Sequence, residues 1–201
     1  MEFTITNISK YIIVILVITY TYYGFRWFNI KDDDKKSKMA KRMRSLIFVI
    51  HFISYLILLI NIKNEKLLIF YLTQVVALAL FFALYQWVYP NLSRLLLNNV
   101  MFFITTGLII LTRLSFDKAI KQFGVIVVSF FISLFIPLFV AKLKFITRFG
   151  WAYGLLGIAA LLSVFAFGRE YRGATNWILV KGFSLQPSEF VKILFVFALA
   201  G

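Results

Sequence analysis

Cysteine is absent from the 201-residue chain, so it forms no disulfide and offers no thiolate to a metal. The single histidine, His51, cannot build a zinc site alone. Acidic residues are scarce, 8 against 22 Lys and Arg, and charged residues of all kinds make up 15% of the chain. No segment repeats with a short period, and none is of low complexity. Net charge is +14, yet no basic face with interleaved aromatics stands clear of the apolar runs, which argues against a nucleic-acid partner. No small-x-small cleavage site follows the first apolar run, because Tyr20-Thr-Tyr-Tyr-Gly is too bulky. That run therefore reads as an uncleaved span rather than a signal peptide.

Apolar side chains are what the chain has in abundance: 62% of residues, with a mean hydropathy of +0.89. A soluble domain of this size does not have that composition. The apolar runs are long and continuous rather than alternating, which predicts spanning helices and not barrel strands. The expected fold is an all-α polytopic transmembrane bundle of seven spans. They cover residues 11–25, 46–62, 67–89, 95–112, 122–141 and 149–167, and a seventh begins at Pro187. The seventh is cut off at Gly201, about 15 residues in, where a hydrocarbon core of roughly 30 Å needs about 20. His51 lies inside the second span, and a lone His there is more often a hydrogen-bonded packing residue than a proton carrier. Gln74 and Gln86 are the polar side chains of the third span, and Gly150, Gly154 and Gly157 let the sixth approach a neighbour closely.

The basic residues sit mostly in short segments beside these runs, where membrane lipids and orientation account for them first. Residues 29–45 are the most charged stretch, three Asp followed by six Lys and Arg. The positive-inside rule makes this loop cytoplasmic. Alternation of the spans then puts the amino terminus outside and the loop of residues 168–186 outside as well. Lys10 and Arg26 flank the first span and reach its two interfaces by snorkelling.

The longest polar interruption of the C-terminal half leads into the seventh span, from Gly173 to Lys192. Pro suits the first turn of a helix, where its missing N–H would have no partner. Pro187 thus reads as the first helical residue, Gln186 as its N-cap, and Glu189 as the third residue, facing the positive end of the helix dipole. Lys192 is three residues on, on the same face, and about 7 Å from Pro187 along the axis. Charges at membrane depth are costly unless paired or wet, and mark sites by default.

These residues carry a resemblance. Gly173-Ala174, Trp177-Ile178, then Gln186-Pro187-Ser188-Glu189 and Lys192 opening a membrane helix resemble the signature of the SEDS family, the shape, elongation, division and sporulation proteins that include FtsW, RodA and SpoVE. Gly107-Leu-Ile-Ile-Leu with Gln122 downstream is similar to the family's first span and the start of its second. The resemblance covers about residues 98–201, so residues 1–97 read as three additional N-terminal spans. Three features depart from the family pattern. Asn176 stands where the family usually has Arg, Lys181 stands where Gly is common, and the three extra spans come first.

The resemblance implies an activity and a setting. The family polymerises lipid II into peptidoglycan, with a bundle of about ten helices and a catalytic Asp in a large outer loop. That Asp is expected beyond Gly201, so no catalytic residue is assigned here, and the chain reads as the amino-terminal part of a polymerase that does not catalyse by itself. The expected substrate-binding residues are Glu189, Lys192, Arg172, Lys181, Trp177 and Gln186. The cations suit a pyrophosphate, and Trp177 either stacks on a sugar or anchors its loop at the interface. No cofactor is expected, though the resemblance allows a divalent cation. The expected setting is a bacterial plasma membrane, and the expected partner a class B penicillin-binding transpeptidase. Two rival classes share these features: a flippase for the same lipid-linked precursor, since helix starts aimed at an anionic head group are also transporter features, and a scaffold without chemistry.

Overall fold

The computed structural model describes residues 2–62, 64–142, 149–171, 174–180 and 183–200. They form seven α-helices and three short strands, and divide into two compact units, Met1–Leu134 and Phe135–Gly201. The helices α1 to α5 are long and apolar enough to cross a membrane, which makes this a multi-pass membrane protein.

In the first unit, α1 (Glu2–Arg26) leads through a single 3-10 turn into α2 (Asp33–Ile62), followed by α3 (Glu65–Val88), α4 (Arg94–Leu114) and the start of α5 (Phe116–Lys142). Side-chain caps start three of these helices. Asp32 Oδ1 accepts from the amides of Asp34 (2.9 Å) and Lys35 (3.3 Å), Asn64 Oδ1 from Lys66 (3.0 Å), and Ser93 Oγ from Leu96 (3.4 Å). Pro90 and Asn91 end α3 as expected.

Two connections are shorter than expected. The charged stretch 29–45 is not a loop beyond Asp32, because Lys, Met, Ala and Arg are good helix formers and Asp32 starts the helix beneath them. Residues 113–121, expected as a loop, reduce to Ser115, with α5 beginning at Phe116. Ser115 serves both helices: its N–H donates to Leu111 O (2.8 Å) and its carbonyl accepts from Ala119 N (3.0 Å).

Helix α2 is central. Its buried residues, from Met39 and Met43 through Ile47, Ile50 and His51 to Tyr55 and Leu58, recur at helical spacing, and it packs on α1, α3 and α4. Gly24 of α1 lies against Met43, whose Cε is 4.0 Å from where a Cβ would stand. Two clusters fill the interior, one around Met43, Ile47, Phe81, Phe82 and Met101, the other around Tyr55, Leu58, Leu67 and Phe70. Polar staples cross between helices. Asn98 Nδ2 donates to Ala40 O (3.0 Å), and Tyr20 OH donates to Asn99 Oδ1 (2.9 Å) while its ring stacks on Phe102 at 4.3 Å. The outward faces are apolar, as at Ile15, Leu72, Val76, Phe103 and Ile132. Lipid is the solvent that suits them.

The second unit holds the end of α5, α6 (Gly150–Phe167), strands β1 (Arg169–Tyr171), β2 (Ala174–Val180) and β3 (Phe183–Leu185), and α7 (Pro187–Ala200). Within the stretch 168–186, read from sequence as loop, the strands β1, β2 and β3 instead pair as an antiparallel β1-β2-β3 sheet. Arg169 stands opposite Trp177, and Ile178 opposite Leu185. Trp-Ile-Leu-Val at 177–180 supplies the aromatic and branched residues that strands favour, over a length too short to read as a helix.

Candidate functional site

The sheet delivers the chain to the site. The β2–β3 ladder ends with Leu185 opposite Ile178, and Gln186 follows at once. Its carbonyl accepts the amide of Glu189 at 3.1 Å, as an N-cap should, and α7 begins on a buried Pro187. Glu189 and Lys192 come together as read from their spacing: Lys192 Nζ donates to Glu189 Oε1 at 2.8 Å. The side chains of Glu189 and Lys192 are 59% and 69% exposed, so the pair is held to its own helix and not buried by the rest of the unit.

Packing on α6 decides which way the pair faces. Gly157 of α6 leaves room for α7, with Val191 Cγ1 3.7 Å and Leu194 Cβ 4.0 Å from where a Cβ would sit. One turn on, Tyr153 and Phe197 meet at 5.6 Å. At about 100° per residue, Glu189 and Lys192 fall on a different face of α7 from Val191 and Leu194. Strand β2, which carries a half-buried Trp177, packs on both α6 and α7. Trp177 and Gln186 therefore belong to the same small assembly as the ion pair. Arg172 and Lys181 lie outside the described residues. Among the described residues no three His, Asp or Glu side chains gather.

Chemically, this arrangement offers an exposed ammonium at the mouth of a helix, with a carboxylate beside it to orient it. The helix start adds its own partial positive charge. An anion approaching α7 meets Lys192 without first having to uncover it.

A second polar group was not legible as a unit. His51, Gln74, Tyr55 and Thr112, all buried, form one chain of hydrogen bonds across α2, α3 and α4. Gln74 Nε2 donates to Tyr55 OH, so its Oε1 accepts from His51 Nε2–H at 3.2 Å. Tyr55 OH donates to Thr112 Oγ1 (2.9 Å), which donates to Leu108 O (2.7 Å). Tyr71 stacks on His51 at 5.1 Å. His51 is thus a hydrogen-bonded packing residue, as expected. The spacing of His51 and Tyr55, one helical turn apart, was the available signal for the rest.

Residues 87–201 match a family model described as cell cycle protein, that of FtsW, RodA and SpoVE. Over 106 residues, 47% of this chain, the sequence is 30% identical to the "probable peptidoglycan glycosyltransferase FtsW" of Bacillus subtilis (strain 168), of which that stretch covers 26%. Over 54 residues, 25% of this chain, it is 41% identical to the protein of the same name from Trichlorobacter lovleyi, of which it covers 14%. The chain thus matches about a quarter or less of the length of these relatives. No solved structure is a significant match. The family match extends over more than half of the chain and takes in α4 to α7 with the Gln186–Lys192 helix start, so the protein belongs to the FtsW, RodA and SpoVE family of cell cycle proteins.

Proposed function

We propose that the protein takes part in polymerising lipid II, a disaccharide carried on a lipid pyrophosphate, into the glycan strands of peptidoglycan. In that reaction a sugar hydroxyl attacks the anomeric carbon of a second molecule. The new C–O bond forms as the bond from that carbon to the pyrophosphate oxygen breaks. The hydroxyl proton passes to a base, and the pyrophosphate leaves with the bonding pair. Negative charge grows on the leaving group, and a fixed cation beside it is stabilising. Lys192 supplies that cation, with Glu189 holding its ammonium in place, and Arg172 and Lys181 add charge in the same segment. Trp177 takes the sugar or the membrane interface. The base is the Asp that the family resemblance puts in a large outer loop.

The carrying observation is the exposed 2.8 Å ion pair between Lys192 and Glu189 in the first turns of α7, on a face turned from α6. The proposed orientation puts residues 29–45 in the cytoplasm and residues 168–186 outside a bacterial plasma membrane, where a class B penicillin-binding transpeptidase would use the product. The test is the full-length protein in liposomes with labelled lipid II. Glycan strands are the expected result. Translocation of the lipid without polymer, as a flippase gives, or no change at all, as a scaffold gives, overturns the proposal.

A further inference from the structure

Helices α2 and α4 run side by side in the same direction. Asn98 Nδ2 meets Ala40 O at 3.0 Å near their starts, and Tyr55 OH meets Thr112 Oγ1 at 2.9 Å further along. Residue 40 is thus level with residue 98. Arg44 stands one turn beyond that level and Arg94 one turn before it, so at 1.5 Å per residue Arg44 starts about 12 Å deeper in the bundle. Side chains on a helix lean toward its N-terminus, so Arg44 reaches back toward the end where Arg94 sits. The two guanidiniums come close enough for Arg94 to oppose the charge on Arg44.

Nothing in the chain answers these charges. Among the described residues neither arginine makes an ion pair. The guanidinium carbon of Arg44 lies 4.4 Å from the centre of the Phe82 ring, and its Nε is buried without a hydrogen-bond partner. Lys41, exposed and one turn earlier on the same face of α2, makes no ion pair either. The nearest acids along α2 are Asp33 and Asp34, the latter about 15 Å of helix from Arg44. Both border, with Arg94, Ser37 and Asn91, a polar hollow of about 480 Å³. Asp33 Oδ1 is 4.0 Å from Lys36 Nζ, and neither Asp pairs with Arg94.

Snorkelling accounts for one cation reaching an interface. It does not account for two guanidiniums from different helices held near each other, one with a buried N–H left open. An anion between them removes both penalties. Each Arg offers a fork of parallel N–H groups. A carboxylate is filled by one such fork. A phosphate is tetrahedral, presents oxygens on more than one side, and can bridge both. Arg94 directly precedes Leu95, where the fourth apolar run begins, and lipid head groups occupy that level of a bilayer. The polar hollow beside Arg94 gives a soluble phosphate a way in as well.

We propose that Arg44 and Arg94 together bind one phosphate group, carried by a lipid head group or free in solution. The site lies where α2 and α4 begin, the cytoplasmic end in the orientation proposed above. It does not rest on Lys192 or on the reaction proposed for α7.

Native mass spectrometry of the purified chain in an uncharged detergent tests it. The probes are inorganic phosphate, phosphatidylglycerol, diacylglycerol, and a diacylglycerol hemisuccinate that puts a carboxylate on the same tails. One phosphatidylglycerol or one phosphate is expected to bind, with the carboxylate lipid and diacylglycerol at least tenfold weaker. A preference for phosphatidylglycerol identifies a lipid as the source of the phosphate, and equal competition by inorganic phosphate identifies a soluble ligand. Each cation near a membrane surface accounts for about a fivefold change, so Arg94→Gln should weaken binding about fivefold and the double variant with Arg44→Gln about 25-fold. Arg44→Lys keeps the charge but loses the fork, and should bind more weakly than the unaltered chain. Lys31→Gln removes an exposed cation outside the pair and should change nothing. Arg94 is exposed, so its variant reports even where Arg44→Gln fails to fold. Failure of both phosphate probes to bind, equal binding of the carboxylate lipid or of diacylglycerol, unchanged binding by Arg94→Gln, or an equal loss from Lys31→Gln each overturns the proposal.

Discussion

Replacing Lys192 with Ala separates a working cation from a structural one, because the geometry sets the structural cost in advance. The pair is an exposed i,i+3 contact, with Lys192 69% and Glu189 59% open. Such helical pairs contribute about 0.2–0.5 kcal/mol, and solvent screening keeps this one to the low end. Lys192→Ala therefore changes the folding equilibrium by about twofold at most, small against the roughly 5–15 kcal/mol of a typical native state. Insertion and membrane abundance should be unchanged. A hydrogen bond to a charged group is worth about 1.5–3 kcal/mol, and the same span taken from a transition state is roughly a 10- to 150-fold loss of rate. Removing Lys192 also leaves Glu189 facing an anionic substrate, which deepens the loss.

The assay is complementation by the full-length gene, with lipid II polymerisation by the purified protein and immunoblots of membranes as the control. Lys192→Ala should abolish function with normal insertion, and Lys192→Arg should retain a part of it. A second change discriminates further. If the pair only steadies the helix, Glu189→Gln added to Lys192→Ala restores activity in full by removing the orphaned carboxylate; if Lys192 meets a phosphate, it recovers only the part of the loss that Glu189 added. Normal complementation by Lys192→Ala, or its full rescue by Glu189→Gln, would mean that Lys192 has no role beyond its own helix.

A thiol introduced as Ser37→Cys should resist an impermeant maleimide in intact cells and react once they are opened; labelling from outside contradicts the proposed orientation. Gly157→Ala should be tolerated, since its Cβ would meet Val191 and Leu194 at ordinary contact distances of 3.7 and 4.0 Å. Gly157→Leu should overpack the α6–α7 contact at a cost of about 1–3 kcal/mol and lower activity by displacing the ion pair; equal activity of both variants argues against that packing as the device that aims α7. For the buried chain, a double-mutant cycle with His51→Leu and Gln74→Leu, read by unfolding in detergent or bicelles, should give a coupling near ~0.6 kcal/mol and no more than about 1.7, as for other hydrogen bonds between membrane helices; zero coupling would mean the bond is not made. The Asp32 carboxyl is held below its ordinary value of 3.8, first by the Lys35 amide, then by the Asp34 amide, with the Lys35 charge adding a smaller part. Its support of α2 is thus present above that ordinary value and lost as pH falls through the lower, folded one. Amide protection at Asp34 and Lys35 should drop in that acid window, and Asp32→Asn should shift the profile; a flat profile would mean the carboxylate does not hold the turn.

The membrane class, five of the seven expected spans and the start of α7 follow from local physics and were legible without a structure. Long uncharged runs have no other way to satisfy their backbone in lipid, and Pro187 has few places in a helix other than its first turn. The Glu189–Lys192 pair was equally local, three residues apart on one helix. Longer-range choices were not. The strands at residues 169–185 depend on partners several residues away, and α2 begins near Asp33 because a cap and good helix formers outweigh the polarity that suggested a loop. Which face of α7 carries the ion pair was settled by Gly157 meeting Val191, and which buried groups share hydrogen bonds by the packing of α2 against α3 and α4. Periodicity tells each helix that it has an inside. Only contact between helices, where volume and unpaired polar groups must be matched at once, decides what that inside touches.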